Sequence, residues 1–351
     1  MEINILLMTD KLMTGGAENY FCKLENQLKH PQLVFYTAAG GGELYEQIKN
    51  KNHFINMSLS NHFANLLVIK RKVLEWDIDI IHANSFRMVL YAVAIQKMTK
   101  KKLKIIYTKH NITMIENRFR PAFTRLLNRY VTKIIAVSGY EQENLFQLGV
   151  HPNKITTIYN GVDLDRFTYQ KKEKGEVYKV GILARLSPEK NHKLFLEIAE
   201  KLKNDPKIQF HIGGDGPQYP KIHKMIDALD LAHHVQMLGE VKNPESFIKE
   251  MDVLVLTSHR EVFPMVVLEA MAIGTPIVSI DVGGINEAIA SHEFGCLVSD
   301  YSAESFCQHI LAMKENQQLR NEISQCARDR VQKNFSLDIM LTCTMREYEN
   351  V

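Results

Sequence analysis

Two carboxylates eight positions apart, Glu261 and Glu269, bracket the stretch EVFPMVVLE, and their setting suits a ligand rich in hydroxyl and phosphate groups. Just ahead, DVLVLTS (252–258) is a short, apolar, β-branched run of the kind buried on both faces of a parallel sheet. Glu261 is therefore expected in the loop after a strand, where open α/β sheets hold their ligands. Pro264 suits a first helical position, and the good helix formers from Met265 to Ala272 predict a helix that stops at Gly274. The backbone amides of Met265, Val266 and Val267 then lie at a helix N-terminus, where unpaired donors and the macrodipole favour an anion. Glu269 falls in the second turn, inside the apolar run MVVLEAMAI, where an ionised group is costly without a partner. Two acids taken at random are ordinary surface residues. This placement shifts the reading towards hydroxyl groups of a ligand held by both carboxylates, with a phosphate between them.

Three further groups have the chemistry to join them. Gly15-Gly16 follows the strand-like INILLM (3–8) and precedes an amphipathic stretch, so these glycines let the backbone approach a ligand closely. His110 closes the strand-like KIIYTKHN, and Arg185 and Lys190 stand five apart in ARLSPEKN, after the apolar run YKVGIL. Alone, each is as readily a turn glycine, a satisfied core histidine or a solvated cation. Together, in order and at strand ends, they are expected to converge on one site.

Short apolar runs alternate with helical segments along the whole chain, which implies parallel sheets covered by helices on both faces. In the first half the runs are 3–8, 33–38, 77–85, 104–111 and 133–139. In the second half they are 178–186, 208–217, 234–241, 252–258 and 296–299. The polar tract YQKKEKGE (169–176) has the composition of a linker. The expected architecture is α/β, with two Rossmann-like, doubly wound parallel-sheet domains facing across a cleft. The expected domains are residues 1–168, residues 169–334, and a final helix over 335–351 crossing back to the first.

The 351 residues suffice for two cores, and 43 Lys+Arg against 40 Asp+Glu is too balanced for a general nucleic-acid binder. Five scattered cysteines without a CxxC read as reduced, structural thiols and argue against a metal site. No apolar run approaches the ~18 residues needed to cross a bilayer, and the amino-terminal stretch reads as a first strand and not as a signal peptide. A cytoplasmic location is expected, with room for contact at the inner face of the cell membrane.

The set EVFPMVVLEAMAIGTPIV, ARLSPEKN, VSGYEQENL, YNGVDLDRF, GGDGP and LGEV resembles the family-4 glycosyltransferases, retaining enzymes of the two-domain GT-B fold. The resemblance spans nearly the whole chain. It implies that Arg185 and Lys190 hold the diphosphate of a nucleotide-sugar donor, the guanidinium as a fork and the ammonium as a point charge. It implies that Gly15 and Gly16 offer backbone to the same phosphates, that Gly239 and Glu240 meet the base, and that Glu269 accepts the ribose hydroxyls. The donor contacts continue through Glu261, Val262, Phe263, Met265, Val266 and Val267, with Glu261 on the donor sugar. His110 lies beside the transferred sugar and, with Arg185, Lys190 and Glu261, makes up the implied catalytic set. One position departs from the family, which usually has Gly where Val262 stands, so the peptide after Glu261 is less free to fold around the sugar. No cofactor and no metal are expected, because cations and helix dipoles take the place of Mg²⁺.

The implied activity is transfer of a hexose or N-acetylhexosamine from a nucleoside diphosphate to a sugar or lipid-linked acceptor, in bacterial polysaccharide or glycolipid assembly. Two alternatives stand beside it: an epimerase or hydrolase on the same scaffold, and a non-catalytic nucleotide-sugar-binding subunit. Basic stretches at KMTKKKLK (97–104) and NRFRPAFTRLLNR (117–129) leave room for peripheral contact with an anionic membrane.

Overall fold

The computed structural model describes residues 2–13, 15–173 and 175–351. Thr14, beside the glycine pair, and Lys174, in the charged tract, lie outside the described residues. The chain divides into two compact units, Met1–Asn160 with Asp338–Val351, and Gly161–Leu337.

The first unit is built on seven strands: β1 (Ile3–Met8), β2 (Leu33–Gly40), β3 (Phe54–Met57), β4 (Ile80–Ala83), β5 (Lys104–Lys109), β6 (Lys133–Ala136) and β7 (Ile155–Thr157). They lie parallel in the order β3-β2-β1-β4-β5-β6-β7. The chain steps outward from β1 in one direction, then returns to β4 and steps in the other. Right-handed crossovers consequently put the helix Gly16–Gln27 on one face. The helices His62–Glu75, Phe86–Thr99, Arg120–Tyr130 and Gly139–Gln147 cover the other. Ile69, Val73, Val89, Ile95, Phe123 and Leu127 fill the second interface in one apolar cluster. The reversal between β1 and β4 makes a topological switch point at their carboxyl ends.

Residues Asp338–Val351 belong to this first unit, where the helix Leu337–Glu349 brings Tyr348 into the core. Its hydroxyl lies 2.5 Å from His82 Nδ1, and the other ring nitrogen of His82 lies 2.7 Å from Thr108 Oγ1. Both imidazole nitrogens are thus satisfied inside the protein, and burial pushes His82 down to about 3.

The second unit repeats the scheme with six strands: β8 (Tyr178–Leu183), β9 (Ile208–Gly213), β10 (Val235–Gly239), β11 (Val253–Leu256), β12 (Ile277–Ile280) and β13 (Cys296–Val298). Their order is β10-β9-β8-β11-β12-β13, all parallel, so the switch point falls between β8 and β11. Phe195, Phe210 and Phe306 are fully buried in its core.

Three strands were not expected from the sequence. FINM (β3) is a four-residue strand at the sheet's edge, with Asn56 exposed, and ITT (β7) is three residues long. IVSI (β12) follows Pro276 so closely that it reads as the end of a turn.

The division between units falls at Asn160/Gly161 rather than at 168/169, and in the expected linker tract Gln170 and Lys172 are tied to the second unit. Gln170 N donates to Ile273 O at 2.8 Å. Lys172 is buried, with its ammonium 2.5 Å from Lys249 O at the carboxyl end of the helix Pro244–Glu250. The negative end of the helix dipole accommodates that charge, which a composition count cannot register. Desolvation still lowers Lys172 to about 8.

Replacing Tyr348 with Phe keeps the ring but leaves His82 Nδ1 buried and unpartnered. We expect a loss of about 1–3 kcal/mol in the unfolding transition of the first unit, read by urea titration of intact protein.

Candidate active-site residues

In the second unit the predicted residues gather where β8 and β11 end. The loop after β8 passes Arg185, which is exposed, and forms a single 3-10 turn, Pro188–Lys190. This turn is tied to the end of β11. The hydroxyl of the buried Thr257 lies 3.0 Å from both Lys190 O and Asn191 O, and His259 N donates to Glu189 O at 2.7 Å. Lys190 is thereby aimed at Glu261, and its ammonium lies 2.5 Å from Glu261 Oε1. The carboxylate is 9% exposed and the ammonium 24%, so the pair is sheltered but reachable.

Backbone-to-backbone contact holds Glu261 from the other side. Gly283 has φ +61, and a Cβ there would sit 1.8 Å from Glu261 O, so only glycine fits. Gly284 N donates to Val262 O at 3.0 Å. Val262 is not among the residues with positive φ, so valine takes the place of the family's usual glycine without backbone strain. The loop of Arg185 is buttressed in the same way by the loop after β9. Gly214, at φ +133, leaves no room for a Cβ beside Ala184 O, and its amide donates to Gly239 O at 2.7 Å. Gly239 is thus joined to the Arg185 loop, with Glu240 exposed next to it.

The helix after Glu261 is Met265–Ile273, closed by Gly274 at φ +85. Pro264 is its N-cap, in extended conformation (φ −73, ψ 127), and not its first helical residue as expected. Its carbonyl accepts from Val267 N at 3.2 Å. No side chain caps this N-terminus, and its first turn holds no acid. Met265 and Val266 are half-buried there and Val267 is buried. Phe263 is turned inward, 5.5 Å from the ring of Phe335. Glu269 is half-buried in the second turn.

In the first unit the structure brings Gly15, Gly16 and His110 to the carboxyl ends of β1, β4 and β5. Gly15 caps the helix Gly16–Gln27, and Gly16 is its exposed first residue, with nothing within 4 Å of where a Cβ would stand. Asn84 links this helix to His110. Its Nδ2 donates to Ala17 O at 2.7 Å, and its Oδ1 lies 2.8 Å from His110 Nε2. Because a carbonyl can only accept, the orientation of the Asn84 amide is settled, and His110 must carry its hydrogen on Nε2. Desolvation lowers His110 to about 3, so the ring is neutral and Nδ1 is left as an acceptor. Tyr20 packs edge-on against the ring at 4.7 Å.

The residue before His110 is anchored by charge. Lys109 Nζ lies 2.8 Å from Glu116 Oε2 and 2.6 Å from Glu141 Oε1, with all three side chains buried. Two acids share one cation there, and burial raises the Glu141 carboxyl. Asn84, Tyr20, the Lys109 triad, Thr257 and Gly283 were not singled out in the sequence. Asn84 stood within the strand-like run 77–85, and Gly283 within a VGG turn; only pairing across strands reveals what they touch.

Residues 14–166 match the family described as Glycosyltransferase Family 4, and residues 165–330 match Glycosyl transferases group 1. The solved structure of Anabaena Alr3699/HepE in complex with UDP and glucose superposes with a TM-score of 0.86 at 19% identity over 100% of both chains. This shows the fold to be GT-B. The chain belongs to the family-4 glycosyltransferases. Among curated relatives, N-acetyl-alpha-D-glucosaminyl L-malate synthase of Bacillus anthracis is 25% identical over 78% of this chain and 74% of that protein. The 4-alpha-N-acetylgalactosaminyltransferase of Campylobacter jejuni named for N-acetylgalactosamine-N,N'-diacetylbacillosaminyl-diphospho-undecaprenol is 28% identical over 94% and 86%.

Two outcomes follow from this geometry. Gly283→Ala forces a shift of the Glu261 backbone; we expect about 1–3 kcal/mol of destabilisation by thermal unfolding. His82 and His110 sit at about 3 and the buried His192, next to Lys190, at about 4, all lowered chiefly by desolvation. The unfolded chain takes up these protons near pH 6.5 and the folded chain does not, so stability is full above about 6.5 and falls as pH drops towards 3. A urea midpoint that stays level from pH 7 to pH 4.5 would contradict the neutral-histidine assignment.

Proposed function

We propose that the protein is a retaining glycosyltransferase that moves a hexose or N-acetylhexosamine from a nucleoside diphosphate to an acceptor hydroxyl during assembly of a bacterial polysaccharide or glycolipid. The observation that carries this reading is the Lys190–Glu261 pair, set beside an exposed Arg185 and an uncapped helix N-terminus. A phosphate meeting these groups gains a fork of N–H donors, a point charge and backbone amides. Glu261 keeps Lys190 extended at the place where it serves both partners, a phosphate oxygen and the carboxylate that receives hydroxyls of the donor sugar. Glu269, one helical turn further in, receives the ribose hydroxyls.

As the bond between the anomeric carbon and the phosphate oxygen breaks, negative charge gathers on the leaving diphosphate. Arg185, Lys190 and the helix N-terminus stabilise that charge more than they stabilise the intact donor, which accelerates the step. Our reading assigns this neutralisation to the side chains and helix, without a divalent cation. The acceptor oxygen bonds to the anomeric carbon on the face the phosphate leaves, and the departing phosphate oxygen takes the acceptor's proton. His110, neutral and with its hydrogen committed to Asn84, offers Nδ1 as an acceptor to a sugar hydroxyl and acts through that hydrogen bond, not as a cation. One relative supports the acceptor class, being named for a diphospho-undecaprenol-linked sugar.

The test is a thermal-shift panel of nucleoside diphosphate sugars, led by UDP-linked ones because a GT-B neighbour was solved with UDP and glucose. Donor binding stabilises the folded chain by ~2.7 kcal/mol at a hundredfold excess over Kd, so at least one sugar nucleotide should raise Tm, with or without EDTA. Lys190→Ala and Glu269→Ala should each lose most of that rise, read against the variant's own ligand-free Tm. If both variants respond as the parent does, the binding assignment fails.

A further inference from the structure

One helical face of the first unit carries side chains that the site does not use. The helix His62–Glu75 buries Ile69 and Val73 against the sheet, yet leaves Phe63, Leu67 and Leu74 at 71%, 45% and 53% exposure. At 100° per residue these three fall within about 40° of arc, a single line along the helix. An aligned apolar stripe on a surface helix marks a contact surface.

The two helices beside it supply the charge. Phe86–Thr99 is joined to His62–Glu75 by His62 Nδ1 and the Tyr91 hydroxyl at 2.7 Å. Arg120–Tyr130 is joined in turn by Phe86 on Phe123 at 4.9 Å and by Lys97 over the ring of Tyr130, also at 4.9 Å. Across these three helices the only carboxylate is Glu75, which Lys72 neutralises at 2.7 Å. Arg71, Lys97, Arg125 and Arg129 are exposed on the same helices, as is Arg87, which lies 3.4 Å from Asp10 Oδ1. A second copy docked symmetrically would bring these cations against their own kind, which is unfavourable. Apolar side chains set among cations with almost no acid match a lipid boundary carrying negative headgroups.

We propose that this three-helix face docks on an anionic lipid bilayer, with Phe63, Leu67 and Leu74 entering the headgroup boundary and the exposed cations facing lipid phosphates. The inference deepens the functional reading and rests on it only for its purpose. The amino ends of the helices His62–Glu75 and Phe86–Thr99 emerge at the same carboxyl edge of the sheet as His110, so a lipid-borne acceptor meets the protein from that side.

Co-sedimentation with vesicles tests the surface without any sugar nucleotide. Full-length protein should bind phosphatidylglycerol/phosphatidylcholine vesicles at low salt, bind less as salt rises, and bind pure phosphatidylcholine poorly. Phe63→Ser with Leu67→Ser, and separately Arg125→Glu with Arg129→Glu, should each weaken binding by at least about tenfold. Lys224→Glu, an exposed cation of the second unit, should leave it unchanged. Each variant's thermal transition, compared with the parent's, confirms that it is folded. The proposal is overturned if folded variants sediment like the parent, if neutral vesicles bind as well as anionic ones, or if the parent is a dimer that the Phe63/Leu67 variant turns into monomer. A donor-induced thermal shift that survives alongside lost or absent vesicle binding separates failure of this surface from failure of the functional reading.

Discussion

The second unit depends on backbone touching backbone at the ends of β8 and β11. Glu261 O occupies the space a side chain would need at residue 283, and Ala184 O does the same at residue 214. These two contacts draw the loops after β11 and β8 towards the sheet, and the Thr257 hydroxyl then locks the turn that carries Lys190. The Lys190–Glu261 pair is a result of this closeness as much as of charge attraction. A surface ion pair between two long side chains contributes little by itself. Here the backbone has already brought the groups together, so little conformational freedom is lost when the pair, or a ligand between its members, is held.

The charges around the candidate site are sorted by environment. His82 and His110 in the first unit, and His192 in the second, are kept neutral by desolvation. Lys109 is a cation, but two buried carboxylates consume it, leaving it to anchor the strand end that carries His110. Among the predicted groups, positive character is left to Arg185, to Lys190 and to the uncapped helix at Met265. Cations already held in place can meet developing negative charge without first having to reorganise. The first unit has a second electrostatic feature, a helical face with exposed cations and a single paired acid, separate from this machinery.

Much of the fold was legible because a strand covered on both faces must be apolar along its whole length. INILLM, KIIYTK, YKVGIL and VLVL announce themselves in this way, and Gly274 ends its helix where a left-handed residue is required. FINM, ITT and IVSI did not, since three or four residues at an edge or directly after a proline leave too short a pattern. The charged tract 169–176 misled for a related reason. Composition counts Lys172 as solvated, whereas its ammonium is capped by carbonyls at a helix end.

The sequence by itself determined the βα alternation, the two sheets, the family and the residue types able to meet a sugar nucleotide, because periodicity and local spacing are properties of neighbours along the chain. Only the tertiary structure decided that Asn84 sets the tautomer of His110, that Gly283 seats Glu261, that Lys109 is shared by two acids, and that Phe63, Leu67 and Leu74 stand in one exposed line beside cations from other helices. Apart from that line, these contacts join residues between 7 and 67 positions apart in the chain. They exist because parallel strands bring distant loops to one edge of a sheet and the helices between them to one face.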